Sequence, residues 1–481
     1  YRDKPAFTNM GKTLSYADLD RLSRDFAGYL LGELKLKKGD RVAIMMPNCL
    51  QYPVAIFGVL RAGLTVVNTN PMYTPRELKH QLSDSGATVL VVMDNFGPVA
   101  QEVLSAMPGV RAITTGLGDM LGFPKGAIVN FVLKHVKKMV PDYEIPGAVR
   151  FRDTLTLGRM HKLPEVKNLA ADLAFLQYTG GTTGVSKGAM LSQGNIVANV
   201  QQAGVLFSTY DFREGEETLL LPLPLYHIYA FNACLGMLAR GGHTVLVPNP
   251  RDLKSLVAAF RNSGCTGFAG LNTLFVALCN DADFRAVDFS RLKLTMSGGM
   301  ALTMAAAGRW KEVTGVEIVE GYGMSETSPV ISVNPVNANR LGTIGIAVPS
   351  TEVRIVDDNG NEVAAGEPGE LVVRGPQVML GYWNQPGETA KVLSPDGWLH
   401  TGDVAVVTPE GYLKIVDRKK DMVVVSGFNV YPNEIEEVVV AHPDVLECAA
   451  VGIPDERTGE ALRVFVVPRH AGLTPEALRE F

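Results

Sequence analysis

The feature that most constrains the fold is the alternation of apolar runs and amphipathic segments between residues 41 and 93. Three apolar runs of strand length are residues 41–46, 64–67 and 87–93. Between the first two runs, residues 51–62 are apolar with helical spacing. Between the last two, Thr74 and Glu77 form a helix-capping pattern around Pro75. This βαβαβ order predicts a parallel sheet with helices on both faces.

The same alternation returns further along, so we expect two successive parallel α/β lobes. Further apolar runs of strand length are residues 174–178, 218–225, 243–247 and 291–296. From about residue 342 to residue 416, short strands alternate with turn sequences, which favours a β-rich subdomain. Residues 417–421 then form a charged cluster, typical of a solvated turn and equally of a hinge between domains.

The rest of the sequence predicts a small α+β unit. It contains a helical segment at 434–441, strands at 446–451 and 462–467, and a last helix that opens at Thr474. We therefore predict an α/β protein with a large N-terminal domain at 1–417, a hinge at 418–421 and a small, mobile C-terminal domain at 422–481. Because the last helix has only about two turns, we expect this domain to be incomplete and the chain to be trimmed.

Composition excludes several classes of protein. The chain has 481 residues, of which 46% are hydrophobic, and a formal net charge of −5, which argues against a nucleic-acid-binding protein. The five cysteines lack zinc-ligand spacing, and we interpret them as reduced thiols in a cytoplasmic protein. Residues 131–140 mix apolar and basic side chains. They indicate either peripheral contact with the inner membrane or an ordinary surface helix with solvated lysines. Monomer and homodimer both stay open.

The candidate phosphate site is a glycine-rich loop that follows an apolar run. Residues 179–188 contain four glycines, three threonines, one serine and Lys187. Glycines allow backbone N–H groups to turn toward an anion, and the lysine adds a mobile positive charge. A flexible surface linker rarely carries a lysine or follows a strand directly. A Walker P-loop is excluded, because it needs Gly-Lys followed by Ser or Thr, whereas two residues separate Gly184 from Lys187.

Two further motifs carry groups that suit a nucleotide. In residues 320–327, glycines flank Tyr322, and Glu326 follows. An aromatic ring can stack on a purine, and a carboxylate near a polyphosphate can bind Mg²⁺. Near the end of the β-rich region, Asp403 follows a tight turn and can accept hydrogen bonds from ribose hydroxyls, a sugar that Arg418 can also reach. Each motif taken alone is also compatible with an ordinary turn.

In their order and spacing, these motifs resemble the adenylate-forming enzymes, which include acyl-CoA synthetases, luciferases and the adenylation domains of peptide synthetases. The resemblance extends from about residue 13 to residue 467 and is closest to the bacterial long-chain fatty acid–CoA ligases. The narrower match is carried by residues 178–184, 222–229 and 270–275. The resemblance implies the fold described above, ATP and Mg²⁺ as cofactors, and a fatty acid and coenzyme A as substrates.

The resemblance also implies a role for each matching residue. Lys187, His227 and Glu326 would be catalytic, with Glu326 as the metal ligand and His227 between the nucleotide and acyl pockets. Lys420 would be the hinge and Gly427 would face the coenzyme A channel. As an alternative, His227 is a core histidine bonded to backbone. The implied nucleotide-binding set is Thr179, Gly180, Gly181, Thr182, Thr183, Gly184, Lys187, Gly298, Gly299, Glu320, Gly321, Tyr322, Gly323, Ser325, Asp403 and Arg418.

The implied reaction is AMP-forming activation of a fatty acid, followed by transfer of the acyl group to coenzyme A. It needs no protein nucleophile, in agreement with the lack of an evident Ser-His or Cys-His pattern. Transfer to an acyl carrier protein, a medium-chain or aryl acid as substrate, and a non-catalytic nucleotide- or acyl-binding protein stay open as alternatives. The family carries an essential lysine near its C-terminus, and no matching Gly-Lys stretch follows Gly459. We therefore expect this chain to bind ATP but to form the adenylate poorly.

Overall fold

The structure is a computed structural model that describes residues 1–179, 186–209, 211–425, 428–455, 458–470 and 472–481. Its strands, in chain order, are β1 (Pro5–Asn9), β2 (Lys12–Ser15), β3 (Arg41–Met45), β4 (Thr65–Asn68), β5 (Val89–Met93), β6 (Arg111–Thr115), β7 (Val149–Arg150), β8 (Leu173–Thr179), β9 (Lys187–Ser192), β10 (Thr218–Leu221), β11 (His243–Leu246), β12 (Gly267–Gly270), β13 (Leu294–Ser297), β14 (Ile318–Gly323), β15 (Val330–Val333), β16 (Ile346–Ala347), β17 (Glu352–Val356), β18 (Gly369–Arg374), β19 (Leu399–Val407), β20 (Leu413–Arg418), β21 (Val423–Val425), β22 (Phe428–Val430), β23 (Val445–Asp455) and β24 (Gly459–Pro468).

Helices cover the faces of the sheets that these strands form. The α-helices are α1 (Tyr16–Gly28), α2 (Gln51–Arg61), α3 (Pro75–Ser85), α4 (Gly97–Ser105), α5 (Lys125–Phe131), α6 (Phe151–Gly158), α7 (Gln193–Thr209), α8 (Ile228–Ala239), α9 (Leu253–Ser263), α10 (Asn272–Asn280), α11 (Ala282–Arg285), α12 (Met304–Thr314), α13 (Pro386–Val392), α14 (Pro432–Val440) and α15 (Pro475–Glu480). Short π-helical turns extend α1 and α5, at Tyr29–Glu33 and Val132–Val136.

Two large sheets form the N-terminal lobes. The first has the order β7-β6-β5-β3-β4-β8-β9, and its strands are parallel except for β9, which runs antiparallel to β8. The second has the order β16-β15-β14-β13-β12-β10-β11-β1-β2, with parallel pairing from β14 through β1. Parallel sheets need cover on both faces, which explains why β4 and β5 are buried along their whole lengths. The predicted pair of α/β lobes is confirmed.

The β-rich subdomain and the small C-terminal unit complete the predicted fold class. Strands β17, β18, β19 and β20 form an antiparallel sheet in chain order. The C-terminal unit has the sheet order β22-β21-β24-β23, against which α14 packs. Strand β20 extends through Arg418, so the charged cluster starts within a strand and only its last three residues form a turn. The proposed domain boundaries stay a prediction.

Local signals placed most elements within a few residues of their observed bounds. Thr74 caps α3 with the expected reciprocal hydrogen bonds to Glu77, and Thr474 caps α15. The run at 218–225 is a strand only as far as Leu221, because the prolines at 222 and 224 have no N–H group for a ladder. The basic amphipathic segment is helical only to Val136, and residues 137–140 lie beyond the helix.

Candidate active site

The candidate phosphate loop joins two antiparallel strands at the edge of the first sheet. Strand β8 ends at Thr179 and β9 begins at Lys187, and these two residues are paired across the ladder. The described residues thus fix where the loop leaves and re-enters the sheet. The predicted residues Gly180, Gly181, Thr182, Thr183 and Gly184 lie outside the described residues, as does Gly427.

Lys187 faces an aromatic ring and a carboxylate from a distant part of the chain. Its Nζ lies 2.9 Å from Glu388 Oε2 and 4.6 Å from the centroid of the Tyr382 ring. The side chain retains about a quarter of its exposure. A cation held over an aromatic face gains a modest attraction without being fixed in one direction. The ammonium is therefore positioned beside the loop while still accessible to a ligand.

The same tyrosine reaches the candidate metal ligand. The Tyr382 hydroxyl donates to Glu326 Oε1 at 2.7 Å, and both side chains are buried. Burial raises the pKa of the Glu326 carboxyl, although the hydrogen bond from Tyr382 opposes this effect. The backbone N–H of Met379 donates to the Glu326 carbonyl at 2.8 Å, which ties the segment before Tyr382 to the turn that carries Glu326. Lys187 and Glu326, which the sequence named separately, therefore meet through Tyr382.

Tyr382 and Glu388 were not among the residues predicted from the sequence. The signal for Tyr382 is the run Gly381-Tyr382-Trp383, in which two aromatic residues follow a glycine with a φ of +134°. A Cβ at Gly381 would lie 2.8 Å from the Thr389 side chain, so only glycine allows this approach. Glu388 lies in the first turn of α13 and has no comparable signal in the sequence.

Asp403 and Arg418, which were predicted for the ribose, lie together with Tyr322, which was predicted for adenine. Tyr322 donates its hydroxyl to Asp403 Oδ2, and Arg418 Nε lies 2.8 Å from Asp403 Oδ1. Asp403 is buried, and burial raises the pKa of its carboxyl, while Tyr322 and Arg418 lower it. Lys420 follows in the next turn, and its charge also acts on Asp403. The structure thus brings Tyr322, Asp403 and Arg418 together across two sheets.

The predicted adenine segment lines a large cavity at the carboxyl ends of β13 and β14. This cavity has a volume of about 790 Å³. Of the predicted residues, its lining includes Gly298, Gly299, Gly321, Tyr322, Gly323, Ser325 and His227. A Cβ at Gly323 would lie 1.9 Å from the Pro329 carbonyl oxygen, so no larger residue fits there. Glu320 is buried on β14, and burial raises the pKa of its carboxyl to about 7, while the Leu302 N–H opposes this effect.

His227 occupies the N-cap position of α8 and faces this cavity. Its ring packs against Tyr226 with centroids 4.6 Å apart. The residue is exposed, yet desolvation by the surrounding protein lowers the pKa of the imidazole below its ordinary value. His227 therefore lies at the cavity wall, its lowered pKa favours the neutral imidazole, and its role stays a prediction.

Most of the remaining cavity wall is apolar. It includes side chains from α8, α10 and strands β13 to β15, among them Ala230, Ala233, Leu274, Ala277, Met296 and Val330. Leu271 also lines the cavity, whereas Phe231 and Phe275 belong to the buried cores. An elongated apolar ligand can therefore lie against this wall with its polar end toward Gly298 and Ser325.

The described residues contain no group of three or more His, Cys, Asp or Glu side chains that could hold a metal ion. Mg²⁺ does not need such a group, because it commonly binds through one or two carboxylates together with substrate phosphates. Glu326, which Tyr382 links to Lys187, fits that arrangement. No helix among the described residues is long and apolar enough to cross a bilayer.

Comparisons with known proteins identify related families and structures. A family model described as AMP-binding enzyme matches residues 1–383, and one described as AMP-binding enzyme C-terminal domain matches residues 434–481. The Long-chain-fatty-acid–CoA ligase of Escherichia coli O157:H7 is 51% identical over 483 residues, covering 100% of this chain and 86% of that protein. The structure is similar to ATP-bound MatB from Rhodopseudomonas palustris, with a TM-score of 0.84 and 28% identity over 99% of this chain and 88% of that one. It is also similar to the anthranilate CoA ligase AuaEII in complex with anthranoyl-AMP, with a TM-score of 0.86 and 25% identity over 100% of this chain and 86% of that one.

Proposed function

Because this chain belongs to the AMP-binding enzyme family, we propose that it is an AMP-forming long-chain fatty acid–CoA ligase. It activates the acid with ATP, as in fatty acid activation for β-oxidation, and transfers the acyl group to coenzyme A. The observation that carries the proposal is the cavity of about 790 Å³, in which an apolar wall leads to Gly298, Gly299 and Ser325. Such a cavity suits a reaction in which a fatty acid and a nucleotide must meet.

The chemistry follows from the poor reactivity of a carboxylate as an acyl donor. A carboxylate oxygen of the acid attacks the α-phosphorus of ATP, so that a new P–O bond forms as the bond to pyrophosphate breaks. The coenzyme A thiolate then attacks the acyl carbon of the adenylate and expels AMP. Both steps depend mainly on positioning and on neutralising charge rather than on a protein nucleophile.

We assign the charge-neutralising roles to Lys187 and Glu326. The Lys187 ammonium, supported by the Tyr382 ring, would contact phosphate oxygens beyond Thr179 and Ser325. Mg²⁺ bound by Glu326 would neutralise charge on the triphosphate. Tyr382 would keep the Glu326 carboxylate oriented through its hydrogen bond of 2.7 Å. The short chain of contacts from the ammonium to the carboxylate supports this assignment.

We assign nucleoside binding to the group around Asp403. Tyr322 would stack on adenine while its hydroxyl stays bonded to Asp403, and Gly298, Gly299 and the backbone of 320–323 would enclose the base. Asp403 and Arg418 would bind the ribose hydroxyls. Since the Arg418 side chain is more than half exposed, it can give up its contact with Asp403 and bind a ribose hydroxyl at little cost in free energy.

We assign His227 to the junction of the nucleotide and acyl pockets. Neutral imidazole there can accept or donate one hydrogen bond without adding a charge that would bind the carboxylate too firmly. From the resemblance to the adenylate-forming enzymes, we also assign Lys420 as the hinge residue and Gly427 as a residue of the coenzyme A channel.

A product assay across several acids tests the function. The full-length protein is incubated with ATP, Mg²⁺ and coenzyme A, together with octanoate, palmitate or ferulate, and AMP and the thioester are measured. We expect acyl-CoA formation to be fastest with palmitate. A preference for ferulate would contradict the proposed substrate class, and release of AMP without formation of acyl-CoA would contradict the proposed acceptor.

We also propose that residues 123–139 make peripheral contact with the inner face of the cytoplasmic membrane. Five large apolar side chains are exposed on this segment: Phe123, Ile128, Phe131, Val136 and Met139. Lys137 and Lys138 are exposed beside them. Apolar groups that can enter the headgroup region, next to cations that attract anionic lipid, are typical of interfacial segments.

Flotation with lipid vesicles tests this contact. We expect the protein to float with vesicles containing phosphatidylglycerol more than with pure phosphatidylcholine vesicles. The double variant Phe123→Ser/Phe131→Ser should lose binding, whereas Met160→Ser, at another exposed apolar residue, should not. Equal loss in both variants, or equal binding to both vesicle types, would contradict the proposal.

A further inference from the structure

The contact between Lys187 and Glu388 joins residues 201 positions apart. Glu388 Oε2 lies 2.9 Å from the ammonium, and it is the only carboxylate within ion-pair distance of Lys187 in the part of the chain that the structure describes. Both side chains keep a quarter to a third of their exposure. The pair therefore lies at the surface of the site, where an incoming anion can reach it.

Local structure fixes Glu388 in this place. The Tyr382 N–H donates to Thr389 Oγ1 at 2.8 Å, which holds the first turn of α13 against the segment that carries Tyr382. Glu388 is adjacent to Thr389, so its side chain is presented to the same ammonium that lies over the Tyr382 ring. The backbone contacts around Tyr382 and Thr389 thus hold Glu388 close to Lys187, so the ion pair does not depend only on two freely rotating side chains.

Glu388 has a second cation available. Its other oxygen, Oε1, lies 2.5 Å from Lys391 Nζ, one helical turn further along. The hydrogen bonds from Lys391 and Lys187 lower the pKa of Glu388 to about 2, so the carboxylate is charged throughout the physiological range. If Lys187 moves away, Glu388 keeps its ion pair with Lys391, so its charge is not left without a partner. Exposed ion pairs are weak, so a triphosphate with several negative charges can displace this one.

From these contacts we infer that Glu388 is a built-in competitor of the ATP triphosphate for Lys187. In the nucleotide-free protein, the Glu388 carboxylate forms an ion pair with the Lys187 ammonium. When ATP binds, phosphate oxygens replace Glu388 as the partner of Lys187, and Glu388 stays paired with Lys391. The inference rests on the phosphate-binding role proposed above for Lys187. It adds that this chain weakens its own nucleotide affinity through a residue outside the glycine-rich loop.

Calorimetric titration with ATP and Mg²⁺, without fatty acid or coenzyme A, tests the inference in the full-length protein. We expect Glu388→Gln to bind ATP roughly two- to fivefold more tightly, the range that an exposed ion pair provides. Glu352→Gln is the matched control, because Glu352 is an exposed carboxylate paired with Arg374 in the β-rich subdomain. An unchanged or weaker ATP affinity in Glu388→Gln would overturn the inference.

A second pair of variants separates this inference from the proposed function. Lys187→Gln should bind ATP more weakly, and in that background Glu388→Gln should have no further effect. If Lys187→Gln leaves ATP affinity unchanged, the role proposed for Lys187 is wrong. If Lys187→Gln weakens binding but Glu388→Gln still tightens it in that background, Lys187 keeps its role and the competition is refuted, because the glutamate then acts through its charge alone.

Discussion

Tyr382 donates a hydrogen bond of 2.7 Å to Glu326 across a separation of 56 residues, while its ring supports the Lys187 ammonium. One side chain thus positions both the candidate metal ligand and the candidate phosphate ligand. Loss of the hydroxyl should affect the first, and loss of the ring should affect both. This difference makes Tyr382 a useful residue for dissecting the site.

Tyr382→Phe should raise the Mg²⁺ concentration needed for half-maximal activity by about tenfold, the value of one hydrogen bond to a charged group. Without the hydroxyl, the pKa of the buried Glu326 carboxyl should rise further, so less of the metal-binding form is present at neutral pH. The measurement is the rate of AMP formation over a Mg²⁺ titration. Tyr143→Phe, which removes a similar hydrogen bond to Asp94 on the first lobe, should leave the titration unchanged; a shift there would point to a general loss of structure.

Asp403→Asn should reduce ATP binding and with it the discrimination between ATP and 2′-deoxy-ATP. The wild-type protein should prefer ATP, since a buried carboxylate that binds hydroxyls loses a partner when one is missing. In the variant the preference should fall by about tenfold. Competition binding with both nucleotides measures it, and an unchanged preference would show that Asp403 does not bind the ribose.

Glu320→Gln should change how stability depends on pH. Burial raises the pKa of Glu320 from 4.5 to about 7, so the folded state holds this proton more firmly than the unfolded state. The contribution to stability is fully present below pH 4.5 and is lost as the pH rises to about 7, by about 3 kcal/mol at most. Urea midpoints at pH 5 and pH 8 should therefore differ less in the variant. Parallel pH dependence in the two proteins would rule out this assignment.

Ala233→Phe should shift the preference of the enzyme toward fatty acids with shorter chains. Ala233 lines the apolar part of the cavity from α8, and a phenyl ring there would fill space that a long chain needs. Each methylene that no longer fits forfeits about 0.8 kcal/mol of burial. We expect kcat/KM to fall strongly for palmitate and little for octanoate, with the KM for ATP unchanged. A uniform fall for all acids would indicate that the tail lies elsewhere.

The sequence predicted the parts of this fold that depend on neighbouring residues. Apolar runs became β3, β4 and β5, and the capping residues at Thr74 and Thr474 begin helices because their hydrogen bonds reach only three residues along the chain. The site was predicted as separate motifs, and only the fold showed that Tyr322 lies against Asp403. Contacts made by α13 with β9 could not be predicted, since no local pattern marks Glu388 as the partner of Lys187.

The segment that carries Tyr382 is hydrogen-bonded to β9, with Leu380 and Trp383 donating to Met190 and Gly188 and Met190 donating to Gly381. The lysine at the head of β9 and the tyrosine are therefore parts of one hydrogen-bonded ribbon. Arg418, by contrast, ends the strand that leads into the C-terminal unit. If Arg418 binds the ribose as proposed, rotation of that unit would move the sugar contact while the phosphate contact at Lys187 stays in place.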